Sequence, residues 1–260
     1  MAEEADFVLG YDEAGKGLAL VLVHAFPLDR RMWDRQLEAL SDLRRVIAVD
    51  LRGRGKSPRD AAGGWSIDDH AGDLARTIDS LGTGAADLAG ISMGGYVLFS
   101  LWRRHPDKIR SLILIDTRAE EDSPQARHAR LQTAALAREK GTGALIDELL
   151  PRLLSHRAPE QVRARVRVMF EETPGETAAA DALAMRDRSD STMDLTSIDV
   201  PALVVHGVED TPAPLAGAEA MARLIPEAGF VPIPAAGHLS PMENPEAVNL
   251  ALREFLRGLD

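Results

Sequence analysis

The chain contains no cysteine among its 260 residues, and aromatic residues make up only 4% of it. Without cysteine the protein has no disulfide bond, no thiolate metal ligand and no cysteine nucleophile. Apolar residues still make up 45% of the chain, so the hydrophobic core has to be built mainly from Leu, Val, Ile and Ala. The length suits one large domain with a substantial core and room for an insertion.

The sequence also lacks an excess of positive charge and a long apolar run. It carries 30 basic and 41 acidic residues, a net charge of −11, which argues against nucleic-acid or anionic-membrane partners because both attract cationic surfaces. The longest apolar run, LALVLVHAF at 18–26, is much shorter than the ~20 residues that cross a bilayer. The N-terminal MAEEADF is acidic and has no signal-peptide pattern. We therefore expect a cytoplasmic protein.

Short segments rich in Val, Ile and Leu alternate with longer helical patterns along most of the chain. Several of these segments are apolar on both faces, as expected for parallel strands covered by helices on each side. The predicted strands are 18–26, 44–51, 86–92, 109–117, 201–207 and 229–234. The helical patterns between them are 32–42, 67–81, 95–105 and 215–225. This alternation predicts an α/β fold with a mostly parallel, doubly wound sheet.

The alternation stops between about 118 and 196, where helical patterns broken by Gly and Pro replace the strands. The strand series resumes at Pro201 in the same style, which favours an insertion over a separate domain. We predict a core formed by residues 1–117 and 196–260, with a helical cap at 118–195.

The segment GISMG at 90–94 fits the pattern G-x-S-x-G, after a predicted strand and before a predicted helix. That is the context the pattern requires, and glycine at both ends avoids a collision in the tight turn. Ser92 would then lie at the carboxyl edge of the sheet, where ligands bind in parallel sheets. The alternative is that Ser92 only caps the helix. A nucleophilic serine needs a base and a carboxylate, so its partners decide between the two.

Seven histidines are available as the base. His238 is the strongest candidate, because its loop follows the last predicted strand and lies at the same sheet edge as Ser92. His24 ends its own strand, and either faces the site or braces a loop. His206 is expected to pack within its strand. The histidines expected on helix surfaces are His70, His105, His128 and His156.

Two aspartates compete for the role of the carboxylate. Asp210 follows the predicted strand 201–207, and Asp116 ends the predicted strand 109–117. Both preserve the chain order of nucleophile, acid and base, so the order does not choose between them. Asp50 is expected to hold the neighbouring glycine-rich loop through its backbone amides.

Together these motifs resemble the α/β-hydrolase superfamily over essentially the whole chain. The segments that carry the resemblance are LVLVHAFPLDRRMW, VIAVDLRGRGKS, GISMGGY, VVHGVEDTPAP and AAGHLSPMENPEAV. More narrowly, HAFPLDRRMW, SMGGYV, IDTRAEEDSPQAR and AMRDRSDST resemble small bacterial carboxylesterases with a helical cap. That subgroup lies near the enol-lactone hydrolases.

The resemblance implies that Ser92 attacks the ester, that His238 transfers the proton, and that Asp210 rather than Asp116 orients the imidazole. It also implies that the backbone N–H groups of Phe26 and Met93 bind the oxyanion.

The resemblance further suggests that the side chains of Phe26, Leu28 and Met93 line an acyl pocket. Ala25 stands where the family usually has glycine, and its methyl group is expected to tilt the oxyanion loop slightly.

The implied function is that of a serine carboxylesterase that hydrolyses small esters through an acyl-enzyme on Ser92. Enol-lactone hydrolysis, perhydrolysis and a low-turnover ligand-binding receptor are alternatives on the same fold. No cofactor is expected, because the segments 10–17 and 52–57 miss the phosphate-loop pattern. No metal is expected either. The expected partner is a small-molecule ester, and the expected state is a monomer or small homo-oligomer.

Overall fold

The computed structural model describes residues 7–58 and 64–259, so the signal-peptide prediction for the first residues lies outside the described part. Seven strands form one sheet in the order β1-β3-β2-β4-β5-β6-β7. The strands are β1 Tyr11–Ala14, β2 Ala19–Val23, β3 Arg45–Val49, β4 Ala86–Ile91, β5 Ile109–Ile115, β6 Ala202–Gly207 and β7 Gly229–Ile233. All neighbours are parallel except β1 and β3. The predicted α/β sheet is confirmed.

The edge strand β1 was not among the predicted strands. It pairs antiparallel with β3, with Tyr11 opposite Val49. It is only four residues long, and none of the four is fully buried. A short polar edge strand is held mainly by backbone hydrogen bonds, so it leaves no alternating apolar pattern in the sequence.

Both faces of the central sheet are covered. Every residue of β2 and β4 is buried, although successive side chains of a strand point to opposite faces. Helices α1 and α10 pack against each other in one helical layer, and α2 packs against α3 in another. Because the carboxyl ends of the parallel strands all meet at one edge, the loops that follow β2, β4, β6 and β7 are brought together there.

The helices follow the predicted positions in the core. They are α1 Asp34–Leu40, α2 Ile67–Ser80, α3 Met93–Arg104, α4 Pro124–Lys140, α5 Ile146–Leu153, α6 Glu160–Glu172, α7 Gly175–Arg186, α8 Leu215–Leu224, α9 Ser240–Glu243 and α10 Pro245–Gly258. Helices α4 to α7 lie between β5 and β6, and α4 packs against α7. We propose that these helices form a cap at 118–195 over a core made of residues 1–117 and 196–260. None of the helices in the described ranges combines the length and apolar character needed to cross a bilayer.

A buried polar group, which we call the Asp181 cluster, joins α7 to the rest of the molecule. It consists of Asp181 with Arg54, Trp65 and His70. Arg54 forms an ion pair with Asp181, His70 Nε2 lies 2.9 Å from Asp181 Oδ1, and the Trp65 indole donates to the same carboxylate. His70 is therefore buried, and the prediction that it lies on a helix surface was wrong. Its helix, α2, faces a charged partner on α7 that the local pattern does not show.

Replacement of Asp181 by Asn is expected to destabilise the protein by about 3–5 kcal/mol, because it leaves the buried guanidinium of Arg54 without a counter-charge. Burial, the largest single effect, favours the neutral form of Asp181, but the Arg54 charge together with the contacts to His70 and Trp65 outweighs it and lowers the pKa of Asp181. The ion pair is therefore fully present at neutral pH. The measurement is the free energy of unfolding in urea.

Asp187→Asn is the matched control for that substitution. Asp187 lies just beyond the end of α7, is half exposed and pairs with Arg186, so its loss is expected to change stability by less than about 0.5 kcal/mol. Equal losses in the two variants would contradict a special role for the Asp181 cluster.

Candidate active site

Ser92 lies in the sharp turn between β4 and α3, with a φ angle of +52°. Few residues other than glycine adopt this region. A Cβ at Gly90 would lie 2.6 Å from backbone atoms of Gly94, and a Cβ at Gly94 would lie 2.4 Å from the carbonyl oxygen of Val23. The turn therefore requires both glycines. The side chain of Ser92 makes no capping hydrogen bond to α3, so the interpretation as a helix cap is wrong.

The structure brings together three residues that are distant in the sequence. His238, in the loop between β7 and α9, places Nε2 2.8 Å from Ser92 Oγ. Its Nδ1 lies 2.8 Å from Oδ2 of Asp210, which follows β6. All three side chains are largely buried. The arrangement is a hydroxyl, an imidazole and a carboxylate joined by two hydrogen bonds, as nucleophilic catalysis by serine requires.

The charge around His238 favours its protonated form. Burial lowers the pKa of His238, but the negative charge of Asp210 and the hydrogen bond to it act in the other direction and prevail. The net effect is a pKa above the ordinary value of 6.5. A more basic imidazole accepts a proton from a serine hydroxyl more readily.

Asp210 is itself held in place by its own loop and by the strand before it. Its Oδ1 accepts a hydrogen bond from the Ala213 N–H at 2.9 Å, and its Oδ2 lies 3.3 Å from His206 Nε2. The same nitrogen of His206 lies 2.5 Å from the Ala213 carbonyl oxygen. His206 is buried in β6, as expected, but its contact with Asp210 was missed. Its position four residues before Asp210 was visible in the sequence, yet nothing there showed that the side chain turns toward the carboxylate.

The competing carboxylate, Asp116, has a different set of partners. Its oxygens accept backbone hydrogen bonds from Gly207 at 2.8 Å and Ser240 at 2.9 Å. It thereby ties the end of β5 to the last residue of β6 and to the first residue of α9. Burial, reinforced by the nearby charge of Asp210, raises the pKa of Asp116. Of the two aspartates, Asp210 is the one in hydrogen-bond contact with His238.

His24 braces the loop after β2, which is the second of its two predicted roles. Its Nε2 accepts a hydrogen bond from the Leu51 N–H at 2.9 Å, and its Nδ1 lies 2.9 Å from the Ala25 carbonyl oxygen. Burial, assisted by the positive charge of Arg54, lowers the pKa of His24 to about 4. Asp50 holds the glycine-rich loop as predicted, because its Oδ2 accepts from the Lys56 N–H at 2.8 Å.

The residues predicted to line an acyl pocket divide into two groups. Phe26 lies in the wall of the cavity beside Ser92. Leu28 and Met93 are completely buried in the core and are absent from the lining of this cavity, so the prediction that they line the pocket was wrong. Met93 is the first residue of α3, directly after Ser92. The φ angle of Ala25 is not in the positive range that favours glycine. Alanine therefore adopts the backbone conformation at this position without strain.

Among the described residues, one cluster brings three potential metal-ligand side chains together. Their potential ligand atoms lie within 4.8 Å of one another, and the residues are Asp116, His206 and Asp210. The carboxylate oxygens of this cluster already have hydrogen-bond partners, whereas His206 Nδ1 has none among the described residues. Both oxygens of Asp116 accept from backbone amides, and the oxygens of Asp210 face Ala213 and His238. The carboxylate oxygens are thus engaged in the hydrogen bonds that hold Asp116 and Asp210 in place.

A cavity of about 200 Å³ opens directly over Ser92 and His238. One part of its wall is apolar and includes Phe26, Leu153 and Met185. The remainder carries charged side chains from the segment after β5 and from α4 and α5. These are Arg118, Arg130, Glu148 and Arg152. None of them was named as a site residue from the sequence, because nothing in the local pattern shows that these polar side chains face Ser92.

The chain matches the alpha/beta hydrolase fold family over residues 19–245. Among solved structures, a thermophilic esterase from Thermogutta terrifontis, crystallised with malate bound, is 45% identical, with a TM-score of 0.93 and coverage of 96% of this chain and 93% of that one. The enol-lactonase from Burkholderia xenovorans LB400 is 32% identical, with a TM-score of 0.88 and coverage of 96% of both chains.

A longer curated protein is also similar. The dihydrolipoyllysine-residue acetyltransferase component of the acetoin cleaving system of Pseudomonas putida is 33% identical over 244 residues. The match covers 93% of this chain but 64% of that protein. The chain therefore spans less than two thirds of that relative's length.

Proposed function

The chain belongs to the α/β-hydrolase family and is a hydrolase, and on that premise we propose that it hydrolyses small carboxylic esters through an acyl-enzyme on Ser92. The observation that carries the proposal is the pair of hydrogen bonds from His238 to Ser92 Oγ and to Asp210. The esterase that is 45% identical over almost the whole chain supports the reaction class.

In the first half of the proposed reaction, Ser92 Oγ attacks the ester carbonyl carbon while its proton passes to His238 Nε2. The carbonyl oxygen becomes an oxyanion, for which the proposed donors are the N–H groups of Phe26 and Met93. When the tetrahedral intermediate collapses, the bond to the alcohol oxygen breaks. His238 gives its proton to that oxygen, so a neutral alcohol leaves and the acyl group stays on Ser92.

In the second half, water attacks the acyl carbon and gives a proton to His238. The bond to Ser92 Oγ then breaks, and the proton returns to Oγ as the carboxylic acid is released. Asp210 stabilises the imidazolium that forms in both halves and fixes the tautomer whose Nε2 faces Ser92. The burial of Ser92, Asp210 and His238 keeps these charges away from bulk water, which strengthens each interaction.

Enol-lactone hydrolysis is the second candidate, because the enol-lactonase is 32% identical over 96% of this chain. A lactone is a cyclic ester and would use the same residues. Perhydrolysis, in which hydrogen peroxide replaces water, and ligand binding with little turnover are further alternatives on this fold. We propose that the activity needs no cofactor or metal and that the partner is a small molecule, acted on by a monomer or small homo-oligomer.

The test combines turnover with covalent labelling. We expect hydrolysis of p-nitrophenyl esters of short acyl chains, measured over a series of acyl lengths together with simple lactones. Diethyl p-nitrophenyl phosphate should inactivate the protein by attaching one diethylphosphoryl group to each molecule. The fraction of activity lost should equal the fraction of labelled protein, and mass spectrometry should locate the label on the peptide that contains Ser92. Ser100, eight residues along α3, should stay unlabelled. Stoichiometric labelling without turnover of any ester or lactone would instead favour a receptor.

A further inference from the structure

Three arginines line the cavity that contains Ser92 and His238. Arg118 follows β5, Arg130 lies on α4 and Arg152 on α5; we call them the arginine cluster. Glu148 is the one acidic residue in the described wall of this cavity. The chain as a whole has a net charge of −11, so a positively charged wall at this point is opposite to the charge of the protein.

The arginine cluster is only partly neutralised from behind. Asp122, a buried carboxylate, lies 2.7 Å from Arg118 Nη2, 3.1 Å from Arg130 Nε and 2.8 Å from Arg188 Nη1. One negative charge is thus shared among three guanidinium groups. Apart from Glu148 in the same wall, the remaining positive charge is left for solvent or a ligand to balance.

Arg130 has free donors that are suited to a ligand. Its contact with Asp122 uses Nε, and within residues 7–58 and 64–259 no acceptor is hydrogen-bonded to its Nη1 or Nη2. About a quarter of its side chain is exposed, and it lines the same cavity as Ser92. Its positive charge also acts on the imidazole of His238. A guanidinium with a fixed Nε and two open terminal donors is an effective carboxylate binder.

We propose that this cavity takes esters that carry a second, ionised carboxylate, such as monoesters of short dicarboxylic acids, and that Arg130, supported by Arg118, binds that carboxylate. The apolar wall formed by Phe26, Leu153 and Met185 then contacts the methylene groups between the two ends. Arg152 makes no ion pair among the described residues and adds to the positive potential at the cavity. The proposal rests on the proposed esterase function, since it names the substrate class of the same site.

The first test compares two substrates of nearly the same shape. Monomethyl glutarate carries the carboxylate, and the methyl ester of glutaric acid monoamide replaces it with a neutral carboxamide. Since hydrogen bonds to charged groups are the stronger ones, kcat/KM should be about 10- to 100-fold higher for the carboxylate. The Arg130→Gln variant should lose most of that preference through a higher KM, while kcat/KM for the amide changes by less than about threefold.

Arg138→Gln is the matched control for Arg130→Gln. Arg138 lies on the same helix, pairs with Glu176 and is about half exposed, so its loss should leave both substrates unaffected. Arg130→Lys keeps the charge but not the paired donors, and should restore part of the preference. Equal rates for the two substrates in the unchanged protein, or equal losses for both in Arg130→Gln, would overturn the proposal.

A second measurement separates this proposal from the esterase function. Titration calorimetry with glutarate on the Ser92→Ala variant measures binding without turnover. Binding that weakens about tenfold or more when Arg130→Gln is added, and that also weakens with salt, supports the carboxylate site. If neither ester is hydrolysed but glutarate binds through Arg130, the esterase function fails and the binding site stands. If both esters are hydrolysed and glutarate binding does not depend on Arg130, the site fails and the esterase stands.

Discussion

Replacement of Ser92 by alanine is expected to lower kcat/KM for a p-nitrophenyl ester by about 10⁵- to 10⁶-fold. The substitution removes the atom proposed to form the acyl-enzyme, while the proposed oxyanion donors, the N–H groups of Phe26 and Met93, remain. Some acceleration over water should therefore survive. Methyl for hydroxyl is a small change in volume at a site that is 9% exposed, so the fold should be preserved, and circular dichroism checks this.

The matched control is Ser100→Ala, on the helix that follows Ser92. Ser100 Oγ donates to Asp68 Oδ1 at 2.6 Å, far along α3 from the cavity, so its loss should leave kcat/KM within about twofold. Esterase activity that persists in Ser92→Ala at more than a few per cent would place the nucleophile elsewhere in the chain.

Replacement of Asp210 by asparagine is expected to lower kcat by about 10⁴-fold. An asparagine amide that donates to His238 Nδ1 selects the tautomer with the proton on Nε2, which cannot accept the proton of Ser92. The loss of the negative charge also removes the main cause of the raised pKa of His238. The residual activity should therefore show an acidic limb, the fall of kcat/KM at low pH, displaced to lower pH than in the unchanged protein.

Asp116→Asn distinguishes the two candidate carboxylates. Asparagine keeps one acceptor oxygen for the two backbone N–H groups of Gly207 and Ser240, so one contact is lost and the loop geometry is loosened. We expect a loss of stability of about 1–3 kcal/mol and a fall in kcat of less than about 100-fold. A larger fall in kcat for Asp116→Asn than for Asp210→Asn would reverse their proposed roles.

The main elements of the fold were predictable because their signals are local. Strands such as 86–91 are buried on both faces, and this burial requires the continuous apolar runs that are visible in the sequence. The turn at Ser92 was predictable because only glycine fits at positions 90 and 94. By contrast, β1 has no apolar pattern, and His70 looks like any polar helical residue until Asp181 is placed beside it.

By itself the sequence determined the succession of the parallel strands and the helices between them, the tight turn that presents Ser92, and a short list of histidines and aspartates that could serve it. Those features depend on local backbone geometry and on apolar periodicity, which neighbouring residues settle. Only the tertiary structure decided that His238 contacts Asp210 rather than Asp116, and that Arg118, Arg130 and Arg152 share one cavity wall. Contacts between residues far apart in the chain depend on how the helices pack over the sheet edge, and no local pattern encodes them.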